Sequence, residues 1–248
     1  MDSRRETAQL EIHAALGELS PPVNEIAKRL DKVRAEMGDA AAKVGRKIEE
    51  VELLAVSKTH SAEKVGEAVA AGQLLFGESK VQETRAKSPL LPSHLRWHFI
   101  GHLQKNKVRH ALPLFELIHS IDSVDLAQQV DRIAKEDGFF PRVLLEVNVA
   151  GEGTKFGFKP EALEQAIEQL LKLQRLSIEG LMTIPPLSAE REKSRPYFTR
   201  LRSFRDELEQ KFSVKLPHLS MGMSDDFAVA IEEGATLVRV GTRIFGPR

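Results

Sequence analysis

The sequence contains no cysteine. That excludes disulfides, thiolate nucleophiles and thiolate-bound metal, and it fits a reducing compartment. It also lacks an excess of either charge: 36 Lys and Arg face 36 Asp and Glu over 248 residues. Without a global field, nucleic acid or an anionic membrane is not expected as the main partner, although a local basic patch would escape this test. No apolar run approaches the ~20 residues a membrane-spanning helix needs. Residues 1–19 lack the apolar stretch of a secretory signal, and Asp2, Glu6 and Glu11 argue against an Arg-rich transit peptide. The expected location is the cytoplasm. Gly/Ser-rich linkers, low-complexity tracts and strong internal repeats are absent too.

What is present is ordinary for a globular chain, 42% hydrophobic and 29% charged, and long enough to bury a substantial single core. Residues 1–20 read as a short arm or weak helix. Ser20-Pro21-Pro22 then reads as a helix start, with serine as cap and proline in the first turn. Ile26, Leu30, Val33, Met37, Ala41, Val44 and Ile48 follow at steps of three or four, one apolar stripe on a helix over 22–48. From residue 51 the rhythm changes. Short apolar runs at Val51–Ser57, Leu74–Gly77, Arg96–Gly101, Leu117–Ile121, Arg142–Val149, Ile178–Ile184, His218–Met221 and Thr236–Phe245 are expected strands. Helical patterns over 61–71, 80–87, 103–111, 124–137, 160–175, 188–212 and 224–233 separate them. Strand and helix in alternation predict a parallel sheet with right-handed crossovers. Eight compact units without a linker favour closure. The expectation is an α/β chain whose residues 21–248 form a single (β/α)8 TIM-like barrel with an extra N-terminal helix.

In such a barrel, chemistry sits at the C-terminal ends of the strands. The first expected strand ends Leu54-Ala55-Val56-Ser57-Lys58-Thr59, and alternation puts Leu54, Val56 and Lys58 on one face. If that face points inward, the Lys58 amine sits partly desolvated at the mouth. Burial disfavours the ammonium form and makes an amine a competent Schiff-base nucleophile. The alternative is a surface lysine reaching water. The seventh strand leads into Ser220-Met221-Gly222-Met223-Ser224, with Ser224 expected as N-cap of the helix that follows. The eighth carries Arg239-Val240-Gly241-Thr242. Loops after these two strands are where barrels commonly hold a phosphate. Read more plainly, they are tight turns and caps. Arg239 lies in register with Leu237 and Gly241, so an inward arginine would need either a ligand or an interior carboxylate such as Glu146.

Weaker candidates are His98 and His102, without carboxylates at metal-ligand spacing in the sequence, and Asn148, which could face the site or cap a turn. Lys155 lies on a Gly-containing loop, and Glu190-Arg191-Glu192-Lys193 reads as an exposed helix start.

Several segments together resemble a known family. They are Val56-Ser57-Lys58-Thr59, Phe76-Gly77-Glu78, the stretch from Trp97 to Lys107, Gly180-Leu181-Met182-Thr183-Ile184-Pro185, Leu219 to Ser224 and Val238 to Gly246, in that order. The chain from about residue 24 to 248 is similar to the pyridoxal phosphate (PLP) homeostasis proteins, whose fold is that of the alanine racemase N-terminal domain. The resemblance implies that Lys58 forms a Schiff base with PLP. It also implies that Ser220, Gly241 and Thr242, with the backbone around Ser224, cup the phosphate, and that Arg239 faces the pyridine nitrogen. Two residues depart from the family pattern. His60 stands where proline is usual, and Ser79 where asparagine is usual.

The resemblance further implies PLP binding without established turnover, and possible handover to apo forms of PLP-dependent enzymes. Racemases of this fold use a second base, a tyrosine carried with a separate β-domain. The chain ends at Arg248 and its one tyrosine, Tyr197, falls on the helical stretch 188–212. A monomer without that domain is the expectation. Weak racemase or lyase activity, a cofactor-free Schiff-base aldolase and a protein-interaction barrel are the alternatives.

Overall fold

The computed structural model describes residues 25–152, 156–186, 188 and 190–247. The expected arm over 1–20, the Ser20-Pro21-Pro22 helix start and Lys155 lie outside the described residues.

Helix α1 runs Glu25–Lys43 and buries Ile26, Leu30, Val33, Met37, Ala40 and Ala41 along one stripe. It ends five residues short of the expected boundary. Gly45 takes a φ of 71° and turns the chain, leaving Val44 exposed, and Ile48–Glu50 forms a separate 3-10 turn.

Eight strands follow: β1 (Glu52–Val56), β2 (Leu75–Glu78), β3 (Arg96–Phe99), β4 (Leu117–Ile121), β5 (Arg142–Glu146), β6 (Ser177–Met182), β7 (His218–Ser220) and β8 (Leu237–Val240). They pair parallel and in sequence order, and β1 closes on β8 through Leu53↔Val238 and Leu54↔Arg239. The intervening helices are α2 (Ala62–Ala70), α3 (Val81–Lys87), α4 (Val108–Ala111), α5 (Val124–Asp137), α6 (Pro160–Leu171), α7 (Arg195–Phe212) and α8 (Phe227–Glu232). Local chemistry fixes several ends. Ser61 and Ser123 accept the N–H of Lys64 and Leu126 as N-caps, and Gly138, left-handed at φ 77°, stops α5.

Two expectations change here. The apolar run Thr236–Phe245 is not one strand: Gly241 breaks it, and Thr242–Phe245 forms a short helix, α9. An apolar run carries no periodicity that separates a buried strand from a buried helical turn. Ser224 does not cap α8. Asp226 holds the N-cap position, and its carboxylate accepts the Met223 N–H at 2.7 Å.

Inside the barrel Leu54, Leu75, Leu117, Leu144, Met182 and Leu237 pack as one apolar cluster, with Ile100 against it. Burying each contributes roughly 1.5–3 kcal/mol. The larger core lies between the outer strand faces and the helices. Helix α1 joins it against α8 and α9: Arg243 grips Glu36 with both terminal nitrogens, at 3.1 and 2.5 Å, and Arg46 donates to the Ile231 carbonyl at 2.9 Å. Among the described residues no helix is long and apolar enough to cross a membrane.

Candidate functional site at the mouth of the barrel

The inner face of β1 is the one alternation predicted. Leu54 belongs to the interior cluster, and Val56 and Lys58 line a cavity of about 310 Å³ at the strand ends. Lys58 is half-buried. It sits in a turn closed by the His60 N–H on the Ser57 carbonyl at 3.1 Å. Opposite, the same cavity is lined by Ser224 from the loop after β7 and by Arg239, Gly241 and Thr242 from the end of β8. Residues 166 to 184 positions apart in sequence therefore converge because β1 and β8 close the barrel.

The loops after β7 and β8 are tied together: the Gly241 N–H donates to Ser224 Oγ at 3.2 Å. A β-carbon at Gly241 would lie 3.2 Å from the Val56 carbonyl oxygen and 3.3 Å from its Cβ, so a side chain would crowd the cavity wall. Gly241 is the N-cap of α9, and its carbonyl accepts the Ile244 N–H at 2.9 Å; the N–H groups of Thr242 and Arg243, in the first turn, have no intrahelical acceptor. Two hydroxyls and these donors make a site suited to an anionic group such as a phosphate.

Ser220, expected in the phosphate cup, does not line this cavity. It is fully buried, and its Oγ accepts from Arg239 Nη1 at 2.6 Å while lying 2.8 Å from His119 Nδ1. It faces inward from β7, below the loop that carries Ser224, and so supports the guanidinium instead of lining the cavity.

Arg239 itself is buried, and Nη2 donates to the Thr183 carbonyl at 2.8 Å. It makes no ion pair with Glu146 among the described residues; the two interact at longer range. Burial pushes Arg239 down to about 10, opposed by the charges of Glu146 and Asp226. Burial and the neighbouring Asp122 push Glu146 up to about 7, opposed by Arg239. From Ser220 a hydrogen-bonded chain continues downward, His119 Nε2 meeting His98 Nδ1 at 3.0 Å. Burial lowers both imidazoles, His98 to about 3, so both are neutral near pH 7. His98 Nε2 has no hydrogen-bond partner among the described residues.

His119 was not among the residues singled out in the sequence. The signal existed: alternation puts it on the same inward face as Leu117, in a strand whose residues are mostly apolar. Other candidates fall elsewhere. His102 pairs with Asp122 at 3.1 Å and stacks on Phe156. Asn148 caps the turn after β5, accepting the Gly151 N–H at 3.0 Å and donating to the Glu152 carbonyl at 2.8 Å. Tyr197 lies on α7 against the outer core. His60 stacks on Phe245 of α9 with ring centroids 4.9 Å apart. Ser79 lines a neighbouring cleft with His102 and Gln104 rather than the Lys58 cavity. Among the described residues no three His, Cys, Asp or Glu are placed to hold a metal ion.

Comparison with known proteins places this geometry. Residues 29–248 match the family model for the alanine racemase N-terminal domain. The pyridoxal phosphate homeostasis protein of Aquifex aeolicus is 46% identical over 222 residues, which cover 89% of this chain and 97% of that protein. The chain belongs to the pyridoxal phosphate homeostasis protein family. Its relative of that name in Pseudomonas aeruginosa is 44% identical, over 91% of this chain and 97% of the other. Among solved structures, PipY of Synechococcus elongatus is 42% identical and covers 89% of this chain and 100% of its own. The TM-score is 0.81 for the form without PLP and 0.79 for the form with PLP bound. An alanine racemase of Clostridium difficile is 18% identical, with a TM-score of 0.69 over 91% of this chain and 57% of that enzyme, a likeness of fold alone.

Proposed function

We propose that this protein binds pyridoxal 5'-phosphate as a Schiff base on Lys58 and serves intracellular PLP homeostasis without catalytic turnover. The observation that carries the reading is the convergence of Lys58, Ser224, Arg239, Gly241 and Thr242 on one cavity. PLP supplies an aldehyde, a phosphate and a ring able to withdraw electrons. Lys58 offers the amine. Ser224 and Thr242 would offer hydroxyls, and the Thr242 and Arg243 N–H groups backbone donors, to the phosphate, with Gly241 leaving room for its approach. Arg239 would face the pyridine nitrogen and, being a donor that keeps its own proton, would leave that nitrogen unprotonated. A ring held so would be a weaker electron sink than one paired with a carboxylate.

The position of Tyr197 supports the same conclusion, because it packs outside the barrel and offers no second base at the cavity. The protein acts in the cytoplasm as a monomer, and the cofactor it holds passes to apo forms of PLP-dependent enzymes. The experiment incubates the PLP-loaded protein with single-enantiomer amino acids and follows both the amino acid and PLP transfer to an apo-transaminase. Transfer with the amino acid unchanged is expected. Multiple turnovers of racemisation or lyase chemistry, abolished by Lys58→Ala, would replace the carrier reading with that of a weak enzyme.

A further inference from the structure

The turn that carries Lys58 is held by side chains from outside β1. Thr59 follows the lysine with a φ of 68°. It is the third residue of the turn Ser57–His60, a place where positive φ usually calls for glycine or asparagine. For a β-branched residue this conformation is an outlier, and such strain persists only where surroundings enforce it. The enforcing contacts come from α3. Glu83 Oε1 accepts the Thr59 N–H at 2.5 Å. Lys87, only 6% exposed, donates to the Ser57 carbonyl at 2.9 Å, to Glu78 Oε1 at 2.7 Å and to Glu83 Oε1 at 3.1 Å. Three donors are all an ammonium has, so this lysine is committed in full. Ser57 Oγ completes the set by donating to Glu78 Oε1 at 2.7 Å.

Thus the peptide groups on both sides of Lys58, the Ser57 carbonyl and the Thr59 N–H, are gripped by one Glu83–Lys87 pair four residues apart on α3. A buried ion pair is a poor way to gain stability alone, since apolar packing of similar volume serves as well. Its geometry here is directed at the two groups that set where the lysine points.

We infer that Glu83 and Lys87 are positioning residues for Lys58, fixing the strained turn so that its amine is presented to the cavity. The inference rests on the Lys58 reading above and deepens it. Misplacing a reacting amine by about 1 Å can cost on the order of a hundredfold in rate.

The test uses the full chain with Glu83→Ala, Glu83→Asp, Glu83→Gln and Lys87→Met beside wild type and Lys58→Ala. Two quantities are read: amide hydrogen exchange at Thr59 without PLP, and the affinity and rate with which added PLP gives the Schiff-base absorption band. Wild type should protect the Thr59 amide. Glu83→Ala and Lys87→Met should lose that protection and weaken or slow PLP capture by about tenfold or more. Glu83→Gln keeps an acceptor oxygen at the same reach and should recover most of both, whereas Glu83→Asp, one methylene short, should not. Capture at the wild-type rate and affinity in Glu83→Ala or Glu83→Asp overturns the inference, as does an unprotected Thr59 amide in wild type. A wild-type protein that protects Thr59 yet shows no Lys58-dependent band fails in the Lys58 reading itself, and the positioning role falls with it.

Discussion

Arg239 donates to the Ser220 hydroxyl at 2.6 Å, and this bond, with a second to the Thr183 carbonyl at 2.8 Å, meets its charge inside the barrel without an ion pair among the described residues. The guanidinium reaches the cavity because Leu237 and Arg239 share the inward face of β8. Ser220 links it in turn to His119 and His98.

Ser220→Ala therefore leaves a buried arginine and a buried histidine each short of a partner. Stability should drop by about 1–3 kcal/mol, read from the urea midpoint, while Lys58-dependent PLP uptake persists. Unchanged stability with loss of phosphate affinity would return Ser220 to the phosphate cup.

Glu146 imposes a pH dependence of known sign. Its folded pKa, about 7, lies above the ordinary 4.5. Its contribution is complete below about pH 4.5 and is lost as pH rises through 7, at a cost of roughly 3 kcal/mol. Glu146→Gln removes that cost. The variant should be more stable than wild type near pH 8, with the gap closing toward pH 5; an equal gap at both would contradict the assignment.

His98 acts in the opposite direction. The unfolded chain takes up the proton near 6.5 and the folded one only near 3, so stability is present above about 6.5 and lost as pH falls below it. Between pH 6.5 and 5 the loss is about 2 kcal/mol. His98→Gln, which keeps a partner for His119, should flatten this acid limb in guanidinium titrations. A limb as steep as in wild type would show that other groups set it.

Gly241→Ala places a methyl group 3.2 Å from the Val56 carbonyl. Inorganic phosphate and PLP should both bind about tenfold more weakly, a difference near 1.4 kcal/mol, as measured by calorimetry. Equal affinity for both ligands would remove Gly241 from the cup.

Much of this was legible in the sequence, and the failures have physical causes. Period-two alternation grouped Lys58 with Leu54 and Val56, and Arg239 with Leu237, but left open which group faces inward; Leu54 and Leu237 in the interior cluster decide it. Strand closure then brought both residues to one cavity. The bonds of Ser220 to Arg239 and His119 were not legible, because a hydroxyl near a strand end reads the same whether it faces a ligand or a neighbouring guanidinium. Thr242 was expected in a strand because the apolar residues after Gly241 have no telling period over four positions. The Glu83–Lys87 grip had no local signature at all: it acts across about 30 residues of sequence, from a helix face that looks like any solvated i,i+4 pair.

The central claim is that Lys58 holds the cofactor. It is tested most directly by adding PLP to wild type and Lys58→Ala, recording the visible spectrum, reducing with borohydride and mapping the modified peptide. The account predicts a Schiff-base band in wild type, its loss in the variant, and the reduced adduct on Lys58. A band that survives in Lys58→Ala, with the adduct on another lysine such as Lys155, would contradict it.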